Sequence, residues 1–482
     1  MTNSFKNFSK VFLLIFIDLL AFYSSLIAAF YTRALLNIVF PGLIAFSIPL
    51  SYFLKIWWLP AIIMSFIAYE RLYNKKLPFW DEAKELVKAA TISMITMLAL
   101  ITLGKMTDQI SRLTVLFLWG YGLLLYPLYR LIGKRILYTL GLWKENVIII
   151  GAGTAGVEAA KGIHSELFLG YNLIGFLDDA DEKIGTEIEI DGKPYKVFGK
   201  TKHFTKFVNL LNISTVIIAL PSLPVDKLAE LTNNIQKHAT NILLIPDVKG
   251  IALTNTELYH LFVQQLFLLK INNNLKSPFN RFIKRTFDLV VSVLFLPVLL
   301  PLIGVLGLLI KIDSPGPVLY RHTRIGRIGK PFGVYKFRSM FRDSGERLET
   351  ILRNDPLARQ EWESSFKLKK DPRITRMGRF LRKTSLDELP QIFNVLKGEM
   401  SLVGPRPVIE EEIITYYKES SDYYHMVRPG ITGLWQVSGR NDVGYDNRVR
   451  LDMWYVLNWS LWLDILMLFK TIRVVLKREG AY

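Results

Sequence analysis

The sequence predicts a protein of mixed class: a membrane-spanning helical bundle, a parallel-sheet α/β domain, and a mainly α unit held to one leaflet of a bilayer. Three observations predict it. Apolar runs of bilayer length crowd the first 140 residues, a β-branched run followed by spaced glycines opens near residue 145, and a proline-broken apolar run near 286–311 precedes a polar, basic C-terminal segment. The 482 residues suffice for several structural units. A hydrophobic content of 51% beside a formal charge of +18 does not fit an ordinary soluble domain, and points to polar parts that face anionic lipid or phosphorylated ligands. Nucleic acid is the rival explanation of the charge, but no nucleic-acid-binding motif occurs, so no such partner is expected. The absence of cysteine excludes disulfides, zinc-thiolate sites and thiol nucleophiles. His164, His203, His238, His260, His322 and His425 lack ligand spacing and read as chemically silent.

Residues 11–32, VFLLIFIDLLAFYSSLIAAFYT, have the length that crosses a bilayer, about 20 residues. Further spans are expected near 43–69, 87–104 and 113–133, completing a four-helix bundle over 1–140. Asp18 and Lys55 interrupt the first two and read as interhelical partners or snorkelling interface residues rather than a transport site. Lys6 and Lys10 precede the first run, Arg71, Lys75, Lys76 and Lys84 separate the second from the third, and Arg130, Lys134, Arg135 and Lys144 follow the fourth. The other two loops hold little beyond Arg33, Lys105 and Arg112, so both ends of the bundle are expected in the cytoplasm. The first run is long and lacks a small-x-small exit, so no cleavable signal peptide is expected.

At residue 145 the texture changes to VIIIGAGTAGVEAAKGI. Gly151, Gly153 and Gly156 match GxGxxG, whose glycines permit a tight turn and close approach of a pyrophosphate to a helix N-terminus. A second strand, NLIGFLDD, ends in Asp178 and Asp179, where a ribose-binding acid would sit. STVIIALPS (214–222) and NILLIPDV (241–248) continue the alternation, giving a Rossmann-like domain over 145–265. The same glycines are needed merely to pack the first helix on the sheet, so a bound dinucleotide is the weaker reading. Residues 266–278, with Asn272, Asn273, Asn274 and Pro278, read as a linker.

The third unit, 279–482, opens on an apolar run from Leu289 to Ile310 that is long enough to span. Pro297 and Pro301 sit mid-run and each removes a helix hydrogen bond. If the run crossed, everything after it would leave the cytoplasm and its nucleotide-activated substrates. A re-entrant helix near 286–311 is therefore expected, with Lys284, Arg285 and Lys311 at the headgroups. More than half of the excess positive charge lies beyond it. Near the end, Trp454, Trp459 and Trp462 with Asp464, Lys470 and Arg473 read as a stripe lying along the interface, the alternative being a buried core helix.

The chemistry is expected between Asp371 and Pro407, where Arg373, Arg376, Arg379, Arg382, Lys383 and Arg406 surround the adjacent acids Asp387 and Glu388. Basic residues suit an anionic phosphate, and a carboxylate among them stays ionised, ready to act as nucleophile or metal ligand. A neighbouring carboxylate can hold Mg²⁺ against phosphates. The bland reading is a capping box, with Ser385 at the N-cap and Glu388 three residues later. The two readings are compatible for Glu388.

KRTFD (284–288), DSPGPVLY (313–320), KFRSM (336–340), the run DPRITRMGRFLRKTSLDELPQIFNVLKGEMSLVGPRP (371–407) and RPGITGLWQVSGRN (428–441) together resemble the bacterial sugar transferase family, the monotopic polyprenol-phosphate phosphoglycosyl transferases. The three-part architecture looks like the large members, which prime O-antigen, capsule or exopolysaccharide repeats. The resemblance implies that Asp387 attacks the β-phosphate of a UDP-hexose, releases UMP and becomes a phosphosugar-aspartate. Undecaprenyl phosphate then accepts the phosphosugar. It further implies Mg²⁺ at Glu388 and Asp387, phosphate or nucleotide contacts from Lys336, Arg382, Arg406 and Arg440, and a similar role or a loop-fixing one for Arg428. Pro301 matches the proline that breaks the family's re-entrant helix, although Leu300 stands where many members have serine. Location in the bacterial inner membrane, membrane lipid as a partner, a homodimer, and galactose as the hexose with glucose as the alternative are implied in the same way.

A membrane-bound nucleotide-sugar dehydratase or epimerase is the competing enzyme class. It needs Tyr and Lys four apart, and Tyr171, Tyr195 and Tyr259 are followed at that spacing by Gly175, Gly199 and Val263. The first 275 residues, which hold none of the catalytic motifs, read as an assembly or regulatory module.

Overall fold

The computed structural model describes residues 3–40, 48–106, 110–211, 213–247, 256–261, 266–271, 273–355, 359, 371–438 and 444–477. The chain divides into two compact units, Met1–Lys249 and Gly250–Tyr482.

The first unit begins with α1 (Asn3–Val39), the short α2 (Leu50–Lys55) and α3 (Trp58–Tyr69), then α4 (Phe79–Leu103) and α5 (Arg112–Thr139). Among the described residues four helices are long and apolar enough to cross a membrane: Ser9–Val39 within α1, then α4, α5 and Pro278–Asp313 of the second unit. The expected span at 43–69, whose first residues 43–47 lie outside the described ones, is not one continuous helix in this set. Pro60 cannot donate to the carbonyl of Ile56, and the chain leaves helical geometry at Ile56 (φ −78°, ψ 86°), splitting the described part of the run into helices of 6 and 12 residues.

Asp18 is an interhelical partner. Arg130 Nε and a terminal nitrogen meet its two oxygens at 2.7 and 2.6 Å, while the other terminal nitrogen of Arg130 and Lys134 Nζ reach Glu82 at 3.0 and 2.6 Å. Arg130 and Lys134, counted above among loop charges, are thus buried inside the bundle. Thr32 meets Tyr121 and Ser24 meets Tyr129, so α1 and α5 run antiparallel. Two charges of each sign satisfy one another, which is the arrangement a low-dielectric interior tolerates.

The sheet follows directly, with β1 (Glu145–Ile150), β2 (Tyr171–Leu177), β3 (Glu187–Ile190), β4 (Lys193–Gly199), β5 (Thr215–Ile218) and β6 (Asn241–Leu244) in the order β3-β4-β2-β1-β5-β6. All neighbours are parallel except β3 with β4. α6 (Thr154–Ser165), α7 (Phe204–Leu211) and α8 (Val225–Gln236) supply the crossovers. Glu145, the first residue of β1, pairs with Lys76 from the α3–α4 loop and accepts from the hydroxyls of Ser214 and Thr215 at 2.6 and 2.5 Å. Burial alone would raise its carboxyl, but these partners hold it down at about 2.

In the second unit β7 (Thr256–Leu261) and β8 (Leu266–Ile271) form an antiparallel hairpin, so residues 266–271 are a strand rather than a linker. α9 (Pro278–Asp313) stays helical through Pro297 and Pro301. Its buried residues, Lys284, Asp288, Ser292, Leu306, Gly307 and Ile310, recur at helical spacing and face the unit. Val293, Leu294, Val298, Leu302 and Val305 form an exposed apolar face. The remaining elements are β9 (Leu319–Ile325) antiparallel to β10 (Pro331–Phe337), α10 (Ser344–Asn354), α11 (Arg376–Thr384), α12 (Gln391–Lys397), β11 (Ser401–Val403) parallel to β12 (Gly430–Thr432), α13 (Tyr445–Leu457) and α14 (Leu461–Lys477).

Both ends of α9 are fastened to this one unit. Lys284 Nζ lies 2.6 Å from Asp464, 3.0 Å from the Val403 carbonyl and 3.1 Å from Tyr455 Oη. Arg285 donates to the carbonyls of Val395 and Leu396 and so closes the C-terminus of α12. Asp288 accepts from Ser401 Oγ and Leu402 N. At the far end Leu306 and Ile310 pack on Phe337 and Leu381. Lys284 and Arg285 therefore hold the protein's interior rather than headgroups, whereas Lys311 is exposed as expected. At the end of the chain the alternative reading, a core helix, holds for Trp459, Leu463, Asp464 and Met467, which are buried, while of the three tryptophans there Trp454 keeps the most exposure, at 41%, and Phe469 and Ile472 are exposed.

Candidate active site

α11 starts where Thr375 Oγ1 accepts from Gly378 N at 2.9 Å and Asp313 Oδ2 accepts from Met377 N at 3.0 Å. A carboxylate at that end also suits the helix dipole. The helix stops at Ser385, which adopts left-handed geometry (φ 56°, ψ 19°). Leu386–Glu388 then form a single 3₁₀ turn, and Pro390 opens α12. The expected capping box is absent: Ser385 closes the preceding helix and its side chain caps nothing. The acid pair instead occupies a strained corner between two helices, with a non-glycine residue at positive φ immediately before it.

Two elements converge on this corner, with a fixed loop arginine nearby. Lys336 of β10 donates to Glu388 Oε1 at 2.6 Å. Arg382 of α11 donates through Nε to Ser339 Oγ at 2.9 Å, and its charge is felt at Asp387. Arg373 is held by both oxygens of Asp371, at 2.8 and 2.7 Å. Burial, and next the charge of Glu388, raise the Asp387 carboxyl above its ordinary value, while Lys336 and Arg382 oppose the shift. Lys336 and Arg382 thus favour the charged form, as expected of surrounding basic groups, while desolvation works against them.

A cavity of about 150 Å³ opens at Glu388 and Lys336, with His322, Gln391, Arg406 and Gln436 among its walls. A second, of about 210 Å³, shares Arg324 and Arg406 and adds Glu412, Trp435, Tyr445 and Arg448. The guanidinium groups of Arg406 and Arg448 lie over the Trp435 ring at 5.7 and 4.7 Å. Arg406 reaches this position because Gly404 and Gly430 touch backbone to backbone, and a Cβ on Gly430 would stand 2.1 Å from Gly404 N.

The structure thus brings Lys336, Glu388 and Arg406 to one cavity and sets Asp387 and Arg382 beside it. Arg428 is not brought there: its Nε donates to the Gly398 carbonyl at 2.7 Å, which fixes a loop. Arg440 lies outside the described residues. Pro301 lies on α9, exposed. Sequence reasoning missed Arg324, Trp435, Tyr445 and Arg448, and it passed over His322. The available signal was strand alternation in LYRHTRI, which puts Tyr320, His322 and Arg324 on one face.

No group of three or more His, Asp or Glu poised for a metal occurs among the described residues. The donor set at the corner is two carboxylates, which fits Mg²⁺, an ion usually bound by one or two carboxylates together with substrate phosphates. In the sheet domain Gly151 and Gly156 serve packing, whereas a Cβ on Gly153 would meet nothing within 4 Å. A Cβ on Gly156 would lie 2.0 Å from the Gly151 carbonyl oxygen, and Gly151 itself has φ +103°. Asp178 is turned back on the same loop, accepting from Ala152 N at 2.7 Å and Ala180 N at 3.0 Å. Asp179 accepts from Thr201 N and Oγ1. Both acids that would hold a ribose are therefore engaged in the fold.

Residues 279–478 match the family described as bacterial sugar transferase, and residues 73–246 match a CoA-binding domain. The undecaprenyl-phosphate galactose phosphotransferase of Salmonella typhimurium is 45% identical over 86% of this chain and 84% of its own length. The UDP-galactose-lipid carrier transferase of Erwinia amylovora is 44% identical over the same shares. The UDP-glucose:undecaprenyl-phosphate glucose-1-phosphate transferase of Escherichia coli is 32% identical over 73% of this chain and 72% of its own. With this family match over its C-terminal part and this extent of identity, the chain belongs to the bacterial sugar transferase family.

Proposed function

We propose that the protein transfers hexose 1-phosphate from a UDP-hexose to undecaprenyl phosphate, releasing UMP, as the first step in assembling an O-antigen, capsule or exopolysaccharide. The observation that carries this reading is the half-buried Asp387, destabilised as an anion beside the Lys336–Glu388 pair and next to cavities walled by Arg324, Arg406 and Arg448. The named activities of relatives that share most of this chain agree with it.

In the first half-reaction Asp387 Oδ attacks the β-phosphorus of the donor, a P–O bond forms to the carboxylate, and the bond to the bridging oxygen breaks. UMP leaves with that electron pair, and the enzyme carries a phosphosugar-aspartate. In the second, a phosphate oxygen of undecaprenyl phosphate attacks the same phosphorus and Asp387 leaves as carboxylate. Desolvation makes the carboxylate the stronger nucleophile, and the arginines offset the charge of the diphosphate. Mg²⁺ held by Glu388 and Asp387, when bound, neutralises phosphate charge that would repel the attacking carboxylate. Arg382 holds a positive charge by Asp387 and is itself oriented by Ser339.

α9 enters one leaflet and returns. Fastening of both its ends in one compact unit supports this, since a crossing would separate them by the membrane. The catalytic unit then lies on the cytoplasmic side of the inner membrane. Galactose is the favoured hexose, because the galactose enzymes share more of this sequence than the glucose enzyme does.

Purified protein supplied with UDP-hexose and undecaprenyl phosphate releases UMP on this reading; release of UDP would reject it in favour of ordinary glycosyl transfer. A donor labelled in its β-phosphate tags the wild-type protein and leaves Asp387→Asn unlabelled, whereas a labelled variant would move the nucleophile elsewhere.

A further inference from the structure

The two cavities meet at Arg324, Arg406 and Pro407 but differ in chemistry. The larger one is cationic and aromatic, which suits phosphate oxygens and flat rings. The smaller holds the Lys336–Glu388 pair at one side and shares the Arg324 and Arg406 guanidinium groups with the larger, but its wall also carries neutral hydrogen-bonding groups that the larger lacks: the imidazole of His322 and the amides of Gln391 and Gln436. Amides and a neutral imidazole are poor partners for phosphate and good ones for hydroxyl groups, to which they can both donate and accept.

The β9–β10 hairpin fixes where His322 stands. In the antiparallel register His322 faces Val334 and Tyr320 faces Lys336, so His322 is the diagonal neighbour of Lys336 and sits two residues from Arg324, which borders both cavities. Its Nδ1 lies 3.1 Å from the carbonyl oxygen of Thr323, which assigns the proton to Nδ1 and leaves Nε2 as an acceptor. Burial and the charge of Arg324 lower the affinity of the ring for a second proton.

We propose that the cavity of about 150 Å³ receives the hexose ring of the donor, and that His322 reads one of its hydroxyl groups and so helps to set which hexose is accepted. The assignment rests on the sugar-nucleotide reading above. It places the reacting phosphorus between the hydroxyl-reading wall and the arginine-rich cavity, beside Asp387. A site built to hydrogen-bond a substrate hydroxyl penalises the epimer that cannot pair, because a desolvated protein group is then left without a partner.

The test is UMP release by the full-length protein in lipid vesicles with UDP-galactose, UDP-glucose and UDP-N-acetylglucosamine in turn. His322→Ala lowers kcat/KM for the preferred hexose about tenfold, the worth of one hydrogen bond, and lowers it less for the others, so the preference between donors shrinks. His322→Gln, which keeps a side-chain acceptor, recovers part of that preference. Thermal midpoints within a few degrees of the wild type certify the fold. An equal loss for all three donors, or an unchanged preference, would overturn the role of His322 while leaving the transfer reaction standing. Failure of the wild type to release UMP from any of the three would overturn both.

Discussion

Asp387 is a carboxyl whose surroundings resist its charge, first by burial and then through Glu388. A carboxyl raised in the folded state favours folding when protonated, and that contribution fades as pH rises through the folded value. Asp387→Asn therefore stabilises the protein at neutral pH without divalent cations, and the gain vanishes as pH falls below the ordinary aspartate value, about 3.9. Thermal melts of the two proteins across that range check it; an asparagine variant less stable at pH 7 would refute it. Asp452 offers the same test away from the acid pair. It is 2% exposed, accepts from Tyr417 Oη at 2.7 Å, and has its carboxyl raised to about 7 by burial, against the pull of Tyr417 and Arg406. Its stabilising contribution is complete below the ordinary aspartate value and is lost as pH climbs to about 7. Asp452→Asn should flatten the fall in stability over that window. At this scale the acid pair, Arg382 and Arg406 stand out in the sequence, because charge density in a short stretch is visible without a fold, whereas Lys336, well before that stretch, was singled out only through the family resemblance. His322 was not, because one histidine among six acquires meaning only from the strand across from it.

Among the elements, α9 shows most clearly how a motif can mislead. Read linearly, KRTFD is a cationic flank for headgroups, yet Lys284, Arg285 and Asp288 each bind a different segment that follows hundreds of atoms later in the chain. The buried pair Lys284–Asp464 sits at 2.6 Å with Tyr455 and Trp459 also bonded to Asp464. Breaking it from one side leaves an unpaired buried charge. Lys284→Met or Asp464→Leu alone should cost roughly 3–5 kcal/mol, whereas the double variant recovers most of the loss. Denaturant unfolding of the three variants measures this; additive losses would show that the two charges do not act as a pair. The second expected span likewise differs from its linear reading. Its hydropathy is sufficient, but the helix breaks at Ile56, one turn before Pro60, and a hydropathy average does not register that.

For the molecule as a whole, each residue placed at the acid pair or in the two cavities lies beyond α9, and both ends of α9 are fastened within the same unit. A fragment from Phe279 onward should therefore fold in lipid and release UMP at a rate within about tenfold of the full chain, the scale of one lost hydrogen bond. A folded but inactive fragment would make the first unit part of the site. The first unit has its own internal fastening: the Asp18–Arg130–Glu82–Lys134 cluster within the bundle and Glu145 with Lys76 at the root of the sheet.

The sequence by itself determined the class of each unit, the strand and helix alternation of the sheet domain, and the acid pair, because hydropathy, glycine spacing and clustered charge are local properties. The tertiary structure alone decided which charges line the cavities and which hold the fold: Arg428, Lys284 and Asp178 look like ligand groups in one dimension and turn out to bind backbone or buried partners. The physical reason is desolvation. A charge's role depends on what surrounds it after burial, and that is set by segments far apart in the chain.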